Sequence, residues 1–245
     1  MYKYNPIEDC YATKKKILIF RENINLFRKQ KKKLNILDYG CGNANDCGKY
    51  LFNDVDKYYG YDIHTPSLDY ARKYYKQKNI KFNNTIPNFK FDIIIISEVL
   101  EHLDQPNETL SYLKSKLRND GIILGSVPNG FGLTEIEKFI IHKFYIYKIA
   151  KFIYRIFKRK TKNISKIPFN YDSGHIQFFT LASFKKIIKN CNLQIEFIRN
   201  GTLLGADLSG STLLKPEIMK KINTKIADFI PSFMSATWIF KLRNE

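Results

Sequence analysis

Residues 91–97, Phe91-Asp92-Ile93-Ile94-Ile95-Ile96-Ser97, form an almost unbroken β-branched run. A run this short and this apolar suits a strand covered on both faces, and such strands belong to parallel sheets. Upstream, LNILDYG (34–40) is a short apolar run ending in an acid and a glycine, YYGYD (58–62) is a second ending in an acid, and NIKF (79–82) is a weaker third. A helix is read from the glycine turn to about Leu51. Another is read through about Tyr75, with Pro66 in its first turn, where the missing N–H costs nothing. Downstream, a helix over about 108–117, a turn at Asn119-Asp120-Gly121 and the strand IILGSV (122–127) complete a further step. Strands alternating with helices predict a doubly wound, Rossmann-like α/β sheet.

Flanking this core, residues 12–30 read as an amphipathic helix leading into Lys31–Lys33, so that 1–33 form a basic helical extension and 34–245 the main domain. Residues 133–170 read as a basic, aromatic helical insertion after the fifth strand. The tail is read as a helix at 181–189, a strand at 193–198, a helix near 216–229 and a last strand within 236–243. No internal repeat or low-complexity tract interrupts this order.

With 19 Phe and 16 Tyr, the chain carries too much apolar surface to stay disordered. Its formal charge of +18 is concentrated: residues 1–33 hold ten Lys/Arg against three Asp/Glu, and residues 134–168 hold ten against two. The rest of the chain is therefore close to neutral. Four cysteines without a CxxC pair indicate neither a zinc cluster nor a redox dithiol. The acidic N-terminus lacks the apolar core of a signal peptide, and no stretch of 18 uncharged apolar residues occurs, so a cytoplasmic protein is expected.

Ligands of an open α/β sheet bind at the carboxyl ends of the strands, which makes those ends the place to look for chemistry. The first strand ends in Asp38-Tyr39-Gly40-Cys41-Gly42, where glycine lets the backbone turn tightly and approach a ligand. The second ends in Asp62, whose carboxylate can accept both hydroxyl hydrogens of a ribose. An adenosine-type ligand follows. A dinucleotide fingerprint starting at Gly40 would need glycine at position 45, which is Asn45, so a dehydrogenase is disfavoured.

These segments resemble the class I S-adenosylmethionine-dependent methyltransferases. LDYGCGNA (37–44), GYDIHTPSLDYAR (60–72), FDIIIISEVLEHL (91–103) and DGIILGSVPN (120–129) look like that family's successive strand-end motifs, in order and spacing. The resemblance implies S-adenosylmethionine as cofactor. Gly40, Cys41 and Gly42 would pass close to its methionine part, Asp38 would orient the loop, Asp62 with Ile63 beside it would hold the ribose side, and Ser97 would lie beneath. The family's third glycine is Ala44 here, followed by the unusual NDCG, which leaves a decayed, non-catalytic site as a competing reading.

Transfer to a hydroxyl needs a base, and His102 in SEVLEHL and His175 in SGHIQFFT are the candidates, since histidine titrates near neutrality. Glu98, Glu101 and His102 also repeat the ExxEH pattern of ubiquinone-pathway O-methyltransferases, which is associated there with a divalent metal. Many relatives carry LEH without one, and no metal is assigned. SVPNGFGLTEIEKFI (126–140), DSGHIQFFT (172–180) and the tail resemble methyltransferases of surface-polysaccharide biosynthesis, implying a sugar or lipid-linked sugar acceptor. A membrane-associated quinone-type O-methyltransferase and an RNA methyltransferase are the alternatives. Nucleic acid is not expected as a partner, because no RNA-binding module is recognisable and SEVL stands where a base-flipping tetrad would be. Within 139–160, Lys148, Lys151, Arg155 and Arg159 recur at helical spacing opposite Ile149, Phe152, Ile153, Ile156 and Phe157. That pattern fits either a lid helix or peripheral contact with the inner face of a membrane.

Overall fold

The computed structural model describes residues 11–31, 33–132, 174–204 and 217–245. Seven strands form one sheet: β1 (Asn35–Tyr39), β2 (Lys57–Tyr61), β3 (Ile80–Asn83), β4 (Phe91–Ser97), β5 (Leu117–Pro128), β6 (Leu193–Asn200) and β7 (Thr237–Asn244). Their spatial order is β3-β2-β1-β4-β5-β7-β6. The first five are mutually parallel, and β7 lies antiparallel between β5 and β6. This is the doubly wound α/β architecture that the strand pattern predicts.

Strand β4 shows why. Its side chains alternate between two cores, Ile93 and Ile95 entering one and Ile94 and Ile96 the other, and all four are fully buried. The same alternation sends Ile36 and Leu37 of β1 to opposite faces. On the first face lie helix α1 (Tyr11–Arg28) and helix α2 (Thr65–Tyr74). Helix α3 (Pro106–Lys116) and helix α4 (Leu181–Asn190) cover the second, with Trp238, Phe240 and Leu242 of β7 beneath them. Pro66 and Pro106 occupy the first turns of their helices, and Thr180 and Ser183 form a reciprocal capping box at the start of α4. Helix α5 (Glu217–Ala227) packs beside α1.

Two local expectations are corrected. No α-helix runs from the glycine turn to Leu51; residues 43–54 instead form a loop followed by the short 3₁₀ turns Gly48–Tyr50 and Phe52–Asp54. Local bonds favour this path: the Asn43 side chain accepts the Asn45 N–H at 3.0 Å, and the Ala44 carbonyl accepts the Lys49 N–H at 2.9 Å. The fifth strand also begins at Leu117 rather than 122, with residues 118–121 bulged between the Phe91–Leu117 and Ile93–Ile122 pairs. The predicted insertion at 133–170, with its membrane-facing alternative at 139–160, lies outside the described residues.

Helix α1 is part of the core. Phe20 and Ile24 are fully buried against the sheet, and Ile17, Ile19 and Phe27 nearly so. Its basic residues are largely spent on internal partners, Lys15 on Asp228 at 2.6 Å, Arg21 on Asp54 at 2.7 Å and Arg28 on Asp56 at 3.2 Å, and just beyond it Lys31 pairs with Asp92 at 3.0 Å. Phe20→Ala is therefore expected to cost about 3–5 kcal/mol of stability. Leu18→Ala, at a position 66% exposed, should stay within about 0.5 kcal/mol. Denaturant midpoints of the two variants measure the contrast, and equal midpoints would make α1 an appendage after all.

Candidate active site

The loop after β1 folds across the end of β2. The Tyr61 carbonyl accepts both the Gly40 N–H at 2.8 Å and the Cys41 N–H at 2.9 Å. Gly40 and Gly42 take positive φ of 76° and 52°, which favours glycine. Gly40 is further constrained by contact: a Cβ there would sit 2.4 Å from a Val99 methyl. Ala44, in place of the family's third glycine, holds φ 62° and is buried. The loop thus keeps a left-handed geometry without the glycine that would make it easy. Cys41 contributes its backbone here, and burial pushes its thiol well above the ordinary range.

Asp62 ties this loop to the start of α2. Its carboxylate accepts the Gly42 N–H at 2.7 Å and the His64 N–H at 2.8 Å, one on each oxygen. Each oxygen keeps a further lone pair for a ligand hydroxyl. Ile63, next in sequence, is 77% exposed and offers an apolar surface beside that carboxylate. Asp38 lies deeper: it is buried and accepts the Tyr58 hydroxyl, whose oxygen in turn packs where a Gly48 Cβ would be. Asp38 therefore supports the far end of the loop through Tyr58. Burial pushes its carboxyl up to about 7, against the opposing pull of the Tyr58 hydrogen bond and with help from the Asp62 charge.

Beneath the loop, Ser97 at the end of β4 joins a chain of polar groups. Lys16 donates from α1 to Ser97 Oγ at 2.7 Å, Ser97 and Ser126 hydroxyls are 2.9 Å apart, and Ser126 donates to Glu98 Oε1. Glu98 holds φ 55°, a strained value for a non-glycine residue. Lys16 is a participant that motif reading misses, although helical spacing signals it. Positions 16, 20, 24 and 27 share one face, which places a lysine in the buried stripe of α1.

The turn Leu100–His102 follows directly. His102 Nδ1 lies 3.0 Å from the Gly174 carbonyl, which can only accept, so Nδ1 is the donor there, and in the neutral ring the lone pair lies on Nε2. The segment 174–180 is tied on by two backbone bonds, from Ile176 and Gln177 N–H to the Glu101 carbonyl, at 2.8 and 2.9 Å. These bring His175 to His102, with ring centroids 5.0 Å apart. Glu101 is fully buried beside them, 3.8 Å from His102 Nε2, and neither carboxylate oxygen has a hydrogen-bond partner among the described residues. Burial, and then the nearby Glu98 charge, hold its carboxyl well above the usual range.

Donor atoms of Glu101, His102 and His175 lie within 4.8 Å of one another and could jointly hold a divalent cation. Two imidazoles and one carboxylate suit zinc or another first-row transition ion better than magnesium. The cluster takes in His175 and not the Glu98 of the ExxEH pattern, whose Oε1 accepts from the Ser126 hydroxyl. Neighbouring segments carry an apolar rim of exposed side chains, Ile176 and Phe178 just after His175, and Phe131 and Phe233 on segments linked to them, the Gly130 N–H donating to the Phe179 carbonyl at 2.9 Å. Asn129 pins it, accepting the Phe131 N–H and donating to the Phe233 and Ser235 carbonyls at 3.1, 2.7 and 2.8 Å.

The Asp38 environment has a pH signature. Its carboxyl keeps a proton to higher pH in the folded chain than in the unfolded one, where about 3.9 is usual. The folded state then binds more protons between those values, so this contribution to stability is full at low pH and falls as pH rises to about 7. Subtracting the stability profile of Asp38→Asn, which can still accept from Tyr58, isolates it. The difference should fall between about pH 4 and 7 and level off above. Parallel profiles would refute a raised Asp38.

Comparison with known proteins bears on the family and the fold. A ubiquinone biosynthesis O-methyltransferase of Actinobacillus pleuropneumoniae serotype 7 (strain AP76) is 31% identical over 111 residues, 38% of this chain and 45% of that protein. An mRNA cap guanine-N(7) methyltransferase of Schizosaccharomyces pombe (strain 972 / ATCC 24843) is 25% identical over 114 residues, 38% of this chain and 32% of that protein. The chain thus spans less than half the length of either relative. Among solved structures, PKMT2 from Rickettsia typhi aligns with a TM-score of 0.59 at 15% identity, covering 99% of this chain and 54% of that one. An S-adenosylmethionine-dependent methyltransferase from Clostridium acetobutylicum ATCC 824 aligns at 0.56 and 10% identity, over 96% and 92% of the two chains. At such identities these likenesses concern the fold alone. The methyltransferase domain model, however, matches residues 13–196, most of the chain, and the protein belongs to that family of methyltransferases.

Proposed function

We propose that the protein transfers a methyl group from S-adenosylmethionine to a hydroxyl of a small-molecule acceptor, a sugar or lipid-linked sugar of surface polysaccharide. The observation that carries this reading is the convergence of His102 and His175 on the turn that touches the glycine loop through Val99. The cofactor's sulfonium supplies an already activated methyl, so the protein's task is alignment and proton removal. Gly40 and Gly42 let the backbone approach the amino-acid end of the cofactor, Asp62 accepts from the ribose hydroxyls, and Ile63 covers the adenine side. His102 Nε2 would hold the acceptor's hydroxyl proton, and the bound cofactor would supply the methyl group and leave as its thioether. The Gly174 carbonyl holds the opposite ring nitrogen, fixing the tautomer that leaves Nε2 basic. The aromatic rim of Phe131, Phe178 and Phe233 suits the apolar face of a sugar ring or the first units of a lipid carrier.

A glycolipid or quinone acceptor would share this rim, and the partial match to a ubiquinone-pathway enzyme keeps the quinone-type reading as the alternative. Incubating the protein with labelled S-adenosylmethionine and cell-envelope sugar precursors on one side, and polyprenylated phenols on the other, separates the two.

Asp62→Ala should weaken S-adenosylmethionine binding by at least tenfold in calorimetry, the loss of hydrogen bonds to an ionised group being worth about 1.5–3 kcal/mol. Unchanged affinity would remove Asp62 from the cofactor site. His102→Ala should lower turnover by roughly 10² to 10⁴ while leaving cofactor affinity nearly intact. Full activity would transfer the base to His175. If a chelator abolishes wild-type activity and added cation restores it, His102 acts as a ligand with Glu101 and His175 instead.

A further inference from the structure

Helix α5 is built inside out. Among its described side chains the buried ones are polar or small: Asn223, Thr224 and Ala227 face the protein. Asn223 donates to the Leu204 carbonyl and accepts the Leu204 N–H, both at 2.9 Å, and the Ala227 carbonyl accepts from Asn200 at 2.8 Å. Its outer side is apolar. Ile218, Ile222 and Ile226 recur every fourth residue and are 68%, 40% and 41% exposed, and Phe229 just beyond is 89% exposed. Single exposed apolar residues need no explanation, but an aligned row of isoleucines with a phenylalanine at its end does. The exposed Lys221 and Lys225 flank this row, three residues after Ile218 and Ile222 respectively.

We propose that this face of α5 docks on an anionic lipid surface, with Ile218, Ile222, Ile226 and Phe229 entering the interface and Lys221 and Lys225 meeting lipid phosphates. Charge decides among the possible occupants. The basic segment 134–168 of the same chain, with ten Lys/Arg against two Asp/Glu, would bring like charge against the two lysines. A second copy would set two chains of +18 face to face through the same lysines. An anionic bilayer satisfies both features at once, since apolar burial and attraction to headgroups add. No described helix is long and apolar enough to cross a membrane, so the contact is peripheral. The face is remote in sequence from residues 139–160, and its docking does not depend on which acceptor is methylated.

The test is co-sedimentation of the full chain with vesicles of phosphatidylcholine alone or with 30 mol% phosphatidylglycerol, chosen here as about a third anionic lipid. Wild type should partition onto the anionic vesicles, less so as salt rises, and weakly onto neutral ones. Ile218→Ser/Ile222→Ser/Ile226→Ser should lower that partition at least roughly tenfold. Lys221→Glu/Lys225→Glu should lower it on anionic vesicles alone, by about 25-fold or more at about fivefold per lysine. Phe229→Ser, outside the helix, is the variant least able to disturb folding, and retained S-adenosylmethionine binding checks each protein. The proposal is overturned if wild type ignores anionic vesicles or if the triple variant binds as wild type does. It is also overturned if light scattering shows a wild-type dimer that the triple variant loses, which would make the face an interface between copies.

Discussion

The contact between Gly40 and Val99 is the constraint on which the site depends. A side chain at position 40 would collide with the valine methyls, so the loop after β1 and the turn after β4 are set at a distance that only a glycine backbone permits. Two further ties hold the loop in that place, the Tyr61 carbonyl bridging the Gly40 and Cys41 N–H groups and the Asp62 carboxylate on Gly42. What binds at the loop and what stands at His102 are therefore positioned by one contact between adjacent strand ends. Methyl transfer demands this economy, because alignment of donor and acceptor accounts for much of its rate.

Electrostatics binds the N-terminal helix into the same arrangement. Lys16 reaches through the core to Ser97, and its charge also favours ionisation of Asp38 and Glu101. The polar chain runs from a cation, through two hydroxyls, to the Glu98 carboxylate, so every hydroxyl has both a donor and an acceptor. Much of the positive charge of residues 11–31 is thereby structural. Lys15, Arg21, Arg28 and Lys31 stitch α1 to α5, to the 3₁₀ turn before β2, to the start of that strand, and to β4. Among the described residues, charge without such partners, like that on the outer face of α5, is what remains for an external surface.

The sheet was legible because its signal is local. Four isoleucines in a row identify a strand buried on both faces, and the acid or glycine closing the first two strands marks the ligand edge. The loop 43–54 was not, since periodicity cannot register an Asn43 side chain capturing a nearby N–H in place of a helical bond. The partnership of His102 with His175 across 73 positions, and the burial of Glu101 beside them, arise from tertiary placement of the segment 174–180. The stretch near 216–229 is legible as a helix, but not the face it buries, because Asn223 is required by the Leu204 backbone, and satisfying that backbone leaves the isoleucines outside.

Backbone strain speaks to whether the departure at position 44 marks a decayed site. Ala44 and Glu98 both hold left-handed conformations that cost a side-chain-bearing residue roughly 1–2 kcal/mol each. A loop released from its task would be free to relax through the neighbouring Asn43 or Gly48, which tolerate such angles better. Instead both strained residues are held in place, Ala44 in the loop after β1 by its N–H on the Cys41 carbonyl and Glu98 just past β4 by the Ser126 hydroxyl. Strain kept in place by surrounding bonds is characteristic of a geometry in use. Alanine at this position preserves the turn at some cost to stability, and with Gly40, Gly42 and Asp62 intact it leaves the catalytic reading stronger than the decayed one.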